Sequence, residues 1–293
     1  LYRGEFKLVA NTVRVPFGDI DAIENAFRSD PEIGTIVLET VQGGGGIIQA
    51  PAEFWQKLRK LCDQYGVLWV ADEVQCGLGR TGRFYAFEHY GVVPDVTALA
   101  KSLGGGKTAM GAMIARREVY MKAYGTPKTA MIHAAATFGG IGEACITSIE
   151  ALNVISDAGL IDNAAATGAY LLDRLYALQA KYPKIIKEVR GKGFMVGLEF
   201  QDFSQTLPMV LRPMVSLLDD KLKGSLSGFI GALLLRDYDV LVAFTEYNRN
   251  VIRLEPPLIC RKEHVDRFVE ALDSLLSRGI TGIVKDFLKS QVG

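Results

Sequence analysis

The sequence predicts an α/β protein, with a mainly parallel sheet in its first half and a smaller α+β part after it. Three observations carry this. Short apolar runs alternate with helix-period segments over the first 140 residues. Those runs are mostly continuous rather than alternating, as in strands covered on both faces. After Pro183, strand-like runs gather around Gly191 and Gly193, and a long helix follows.

Residues 33–38 form the first expected strand, ended by Glu39 and the glycines at 43–46. Residues 51–64 read as a helix, with Phe54, Trp55, Leu58 and Leu61 at helical spacing and Gly66 as its stop. A β-branched run at 67–71 closes on Asp72-Glu73, and residues 95–100 and 111–115 complete the set of short strands. Residues 143–156 and 161–181 read as helices. Beyond them, 186–190, 194–200, 240–244 and 251–254 are expected strands and 262–276 an expected helix. The change of style places a boundary near residue 157, giving domains 1–156 and 157–293. Residues 203–232 carry Met209, Val210, Met214, Leu217 and Leu218 at helical spacing, expected to pack on the core or on a partner subunit.

The 33 Lys and Arg residues balance 33 Asp and Glu, so nothing suggests wholesale binding to nucleic acid or an anionic membrane. The basic run at 181–192 reads as a solvated helix face and the loop after it. Four scattered cysteines, Cys62, Cys76, Cys145 and Cys260, form no CxxC pair and fit a reducing, cytoplasmic setting. His89, His133 and His264 have no metal-ligand spacing. The densest apolar stretch, 229–235, is cut by Arg236 and Asp237, too short for a membrane span.

Three motifs compete for the chemistry. Gly77-Leu78-Gly79-Arg80-Thr81-Gly82 matches GxGxxG, but five residues separate it from the strand, and bulky Arg83-Phe84-Tyr85 follow where a dinucleotide site needs a helix. Gly104-Gly105-Gly106-Lys107-Thr108 ends like a P-loop, yet Lys101 stands where its first glycine belongs. The third reading pairs Asp72 with Lys101. Each follows a buried strand, and ligands of open α/β sheets collect at the carboxyl ends of strands. A partly desolvated amine is a usable nucleophile. An amine for a Schiff base and an acid for a pyridinium nitrogen are what a pyridoxal cofactor needs.

Residues 70–82, Val-Ala-Asp-Glu-Val-Gln-Cys-Gly-Leu-Gly-Arg-Thr-Gly, resemble the signature of class III pyridoxal-phosphate aminotransferases, the group of ornithine, acetylornithine, GABA and putrescine aminotransferases. Residues 94–106, 39–46, 136–140, 191–193 and 251–258 resemble further blocks of that family in order. The stretch around 203–232 looks closest to aminotransferase domains of multidomain biosynthetic proteins of the prodigiosin-pathway type. The resemblance implies fold type I: the C-terminal part of the large domain, then the small domain. It implies pyridoxal 5'-phosphate as cofactor, with Lys101 as the Schiff-base lysine and Asp72 on the pyridine nitrogen. Val74 would pack on the ring, Gln75 would bond its phenolic oxygen, and Thr137 would reach the phosphate across a homodimer interface. Arg253 would grip the α-carboxylate of an amino-acid donor, and Glu39 would pair with Arg253 when the acceptor, an aldehyde or ketone, lacks one.

Some positions depart from the pattern. Thr40 stands where proline is usual, Gly44 where glutamate is usual, and Ile141-Gly142 where Asn-Pro is usual. The chain opens at Leu1, where the family has a long preceding part with the turn on the cofactor phosphate and the aromatic on the ring. The expectation is therefore a truncated protein holding only part of the pocket. A nucleotide-binding protein using 104–108 and a catalytically silent dimerising piece stand as alternatives at this stage.

Overall fold

The computed structural model describes residues 11–130, 137, 139–202 and 226–290. These fall into two compact units: the residues up to Val41 with Gln49–Asp162, and Gln42–Ile48 with the residues from Asn163 onward.

The first unit opens with α1 (Ile20–Ser29), which the strand-and-helix pattern above omitted. Asp19 caps it by accepting the Ala22 N–H at 2.9 Å, and Ile23 and Phe27, one turn apart, are buried. β1 (Thr35–Glu39) leads into two-residue strands, β2 (Val41–Gln42) and β3 (Ile48–Gln49), which pair around the glycine run. In α2 (Ala52–Tyr65), Phe54, Trp55, Leu58 and Cys62 make one buried stripe. Gly66 ends it at φ 69°, a left-handed conformation that only glycine adopts without strain. Next come β4 (Leu68–Asp72), β5 (Val96–Leu99), β6 (Ala112–Ala115), α3 (Arg117–Tyr124), α4 (Pro127–Ala130) and α5 (Gly142–Asp157).

The sheet order is β1-β4-β5-β6. β1, β4 and β5 are parallel, with Glu39 opposite Asp72 and Asp72 opposite Ala98. β6 runs antiparallel to β5, so the sheet is mixed at that edge. Trp69 and Ala71 enter a core where Trp55 stacks on Trp69 at 5.7 Å and on Tyr90 at 5.6 Å between ring centroids. Among the described residues, the expected cover is complete on one face only. Val37 is 62% exposed, and Leu68, Val70 and Asp72 are only half-buried.

In the second unit, α6 (Leu160–Lys181) precedes β7 (Ile186–Lys192), β8 (Met195–Phe200), α7 (Leu226–Tyr238), β9 (Ala243–Phe244), β10 (Val251–Leu254), α8 (Lys262–Leu276) and α9 (Gly279–Ser290). The antiparallel sheet order is β7-β8-β10-β9. The strand expected at 240–244 shrinks to Ala243–Phe244, both exposed. α7 buries Leu226, Phe229, Ile230, Leu233 and Leu234, so the end of the 203–232 stretch does pack on the core. Met209, Val210, Met214, Leu217 and Leu218 lie outside the described residues. α9, which the sequence reading omitted, docks through Phe287 on Phe229, with centroids 4.4 Å apart. No single described helix is long and apolar enough to cross a membrane.

Gly168 of α6 meets the Gly191-Lys192-Gly193 turn so closely that a Cβ on it would enter the backbone of Gly193. Gly168→Ala should therefore cost about 3 kcal/mol, the upper part of the overpacking range. Urea unfolding measures this, and an unchanged midpoint would disprove the contact.

Glu199 on β8 is buried and receives Lys187 at 2.7 Å and Arg190 at 2.6 Å, while Arg190 Nε donates to Gly46 O at 2.8 Å. Burial alone would raise this carboxyl, but the two cationic donors outweigh it and hold it below its usual value. A lowered native pKa contributes stability that is full above the unfolded value, roughly 4.3, and is lost as pH falls through the native one. Glu199→Gln should thus lower stability at neutral pH and flatten the acid-side decline. Urea midpoints at about pH 7 and pH 3 would show both.

Candidate active site

The parallel strands bring three of the expected residues to one edge. Glu39 ends β1, Asp72 ends β4 opposite it, and Lys101 follows two residues after β5. Along β4, Trp69 and Ala71 point into the core, so period-two alternation sends Asp72 to the other face with Val70. Its Oδ1 accepts the Val74 N–H at 3.1 Å, which ties the carboxylate to the turn carrying Val74 and Gln75, both half-buried.

Lys101 begins a 3-10 turn, Lys101–Gly104, with φ at 51°. A left-handed lysine is sterically costly, by roughly 1–2 kcal/mol, and such strain gathers at functional positions. The turn breaks the alternation, so Lys101 does not follow buried Leu99 into the core. It is exposed, which corrects the expectation of a partly desolvated amine.

Glu73, beside Asp72, was not a candidate, yet it is the most engaged carboxylate here. It is 1% exposed and accepts from Thr40 Oγ1 at 2.5 Å, Ala86 N at 2.8 Å and Phe87 N at 3.2 Å. Burial pushes its carboxyl up, and these donors, with Cys76, pull against that.

The competing motifs lack their helices. Residues 77–82 form successive turns, closed by Gly82 N–H on Gly79 O at 2.9 Å. A Cβ at Gly77 would sit 2.8 Å from Glu73 O, so glycine there serves close packing on the strand end. Residues 104–108 lead into β6 rather than a helix, so no helix N-terminus faces a phosphate there.

Thr137 is exposed in a turn before α5. Arg253 belongs to the other unit, on β10, opposite Gly197 and Ala243. Its Nε is buried without a hydrogen bond and lies 3.4 Å from Glu255 Oε2. Glu255 also escaped the sequence reading. Its signal was there: two residues on along a strand means the same face, and Pro256 keeps the backbone extended.

An amine, two carboxylates, an amide and an apolar side chain at the carboxyl ends of parallel strands suit a pyridoxal ring. Comparison with known proteins agrees. Residues 14–276 match the class III aminotransferase family model. The chain belongs to the class III aminotransferases. It is 38% identical over 276 residues to an acetylornithine aminotransferase of Caldanaerobacter subterraneus subsp. tengcongensis, covering 94% of this chain and 61% of that one. Among solved structures, it resembles ornithine aminotransferase from Plasmodium yoelii, at 32% identity and TM-score 0.74, over 94% of this chain and 62% of that one. It also resembles ornithine aminotransferase from Toxoplasma gondii, which has PLP at partial occupancy in its active site. There the identity is 27% and the TM-score 0.77, over 98% of this chain and 59% of that one. The fold is therefore that of these aminotransferases, and this class III chain spans about six-tenths of the length of the relatives it matches.

Proposed function

We propose that the protein is a pyridoxal-phosphate-dependent aminotransferase, moving an amino group from an amino-acid donor such as glutamate to an aldehyde or ketone. The observation that carries this is the shared sheet edge of Asp72 and Lys101, set by the β4–β5 register. When bound, the cofactor supplies an aldehyde and an electron-withdrawing ring that makes a substrate Cα–H acidic. Asp72 offers a fixed negative charge to a protonated ring nitrogen, Val74 an apolar contact and Gln75 an amide for the phenolic oxygen. Lys101 Nζ would anchor the cofactor and, as a free amine, would carry the substrate Cα proton across to the cofactor carbon. Donor and acceptor use one site in turn, which gives ping-pong kinetics. Thr137 is assigned to the cofactor phosphate of a partner subunit, with the homodimer sharing its sites. Four free thiols favour a reducing, cytoplasmic setting.

The test uses the natural polypeptide with added pyridoxal phosphate, borohydride reduction and peptide mass spectrometry. A pyridoxyl group on Lys101 is the expected result. Dimerisation with no label anywhere would replace this reading with a silent dimerising piece. Arg253 is assigned to the donor α-carboxylate, for which its planar fork is suited. Arg253→Lys should raise KM about ten- to a hundredfold for α-amino acids, one charge-assisted hydrogen bond. KM for simple amines should stay as it was, and an equal rise for both would remove the assignment.

A further inference from the structure

We propose that Thr40 and Glu73 form a clamp that positions the Asp72 carboxylate, a role for two residues that touch neither cofactor nor substrate. The inference rests on the reading of Asp72 given above. β1 and β4 end side by side on Glu39 and Asp72, and the very next residue of each strand turns inward. Thr40 is 0% exposed and Glu73 1%, and the threonine hydroxyl donates to the carboxylate at 2.5 Å.

The clamp answers a mechanical problem. After Asp72 the chain has no helix or strand until Ala86. One sheet-type bond continues past Asp72, from Glu73 N to Ala98 O at 3.0 Å. A carboxylate at such an end could swing. The Glu73 side chain prevents this by holding separate segments at once: the end of β1 through Thr40, and the start of the 3-10 helix Ala86–Tyr90 through the Ala86 and Phe87 N–H groups. The backbone of Glu73 lies between Asp72 and Val74, which are joined by the Val74 N–H to Asp72 Oδ1 bond. Fixing Glu73 therefore fixes both ends of the bond that aims Asp72. Proline, the residue expected at position 40 from the sequence blocks, has no hydroxyl to donate. Here that hydroxyl completes the donor set of a buried acid, where a missing partner is costly.

The test compares Thr40→Val, which keeps the shape and removes the donor, with Thr40→Ser, which restores it. Amide exchange at Val74 is followed in the cofactor-free protein, and the dissociation constant of pyridoxal phosphate by titration. In Thr40→Val, Val74 exchange should quicken and cofactor affinity should fall, each by about tenfold, one hydrogen bond to a charged group expressed as a ratio. Thr40→Ser should return both close to the native values, although its lost methyl lowers the unfolding midpoint. Should Thr40→Val lower that midpoint while Val74 exchange and affinity stay native, the pair is merely structural and the proposal is overturned. Should the native protein bind no cofactor, the reading of the whole site fails, a different result from native binding that Thr40→Val leaves intact. If Thr40→Val does not fold, Glu73→Gln is read instead. It keeps the volume but turns an acceptor into a donor facing an N–H group, and the same losses must appear.

Discussion

Lys101→Ala is expected to abolish the borohydride-trapped pyridoxyl label and to lower the proposed transamination by at least about 10²–10⁴-fold, the range for a positioned proton-transfer group. On the role proposed for Lys101, the substitution removes the covalent anchor and the base together. The backbone strain at φ 51° should stay, because it comes from the Cβ that alanine keeps. Stability should therefore change little, since Lys101 is exposed, while activity collapses, which separates a functional lysine from a structural one. Lys107→Ala is the control. It removes an exposed lysine of the same glycine-rich turn and should leave the label in place. Label persisting in Lys101→Ala would assign the chemistry to another amine.

Asp95→Ala should be the most destabilising of the changes considered, at about 3–5 kcal/mol, the cost of removing one partner of a buried ion pair. Asp95 is 5% exposed and stands just before β5. Its Oδ2 accepts from Arg59 at 2.8 Å and from the Trp69 N–H at 2.8 Å, and Arg116 lies 3.3 Å from Oδ1. One carboxylate thus joins α2, β4, β5 and the start of α3. Alanine would leave a buried strand N–H unpaired and the Arg59 charge poorly compensated. The Arg261–Glu263 pair, with both side chains about two-thirds exposed, should by contrast yield no more than about 1 kcal/mol. Urea unfolding of Asp95→Ala and Glu263→Ala makes the comparison, and equal small losses would refute the role of Asp95.

Much of the candidate site's edge was legible from residue order. In parallel strands, successive carboxyl ends meet at one edge, so apolar runs ending on Glu39, Asp72 and just before Lys101 already imply their proximity. The clamp was not legible in the same way. Thr40 and Glu73 are far apart in the chain, and nothing in their local pattern distinguishes a buried hydrogen-bonded acid from an exposed one. The Arg253–Glu255 pair was available from spacing alone, yet Arg253 was read as a ligand group and Glu255 passed over.

Periodicity by itself placed many of the helices and strands, though not α1 or α9, because the rise and side-chain period of each element are local properties. It placed 251–254 and 262–276 to the residue, and Gly66 as the stop of α2. Tertiary structure alone decided that β6 runs against β5, that one face of the first sheet is only partly covered among the described residues and that Lys101 stands exposed. It also decided that α9 closes on α7 through Phe229 and Phe287. Those outcomes depend on which distant surfaces meet. Pairing direction and burial are set by the free energy of the assembled layers, which no short window of sequence contains.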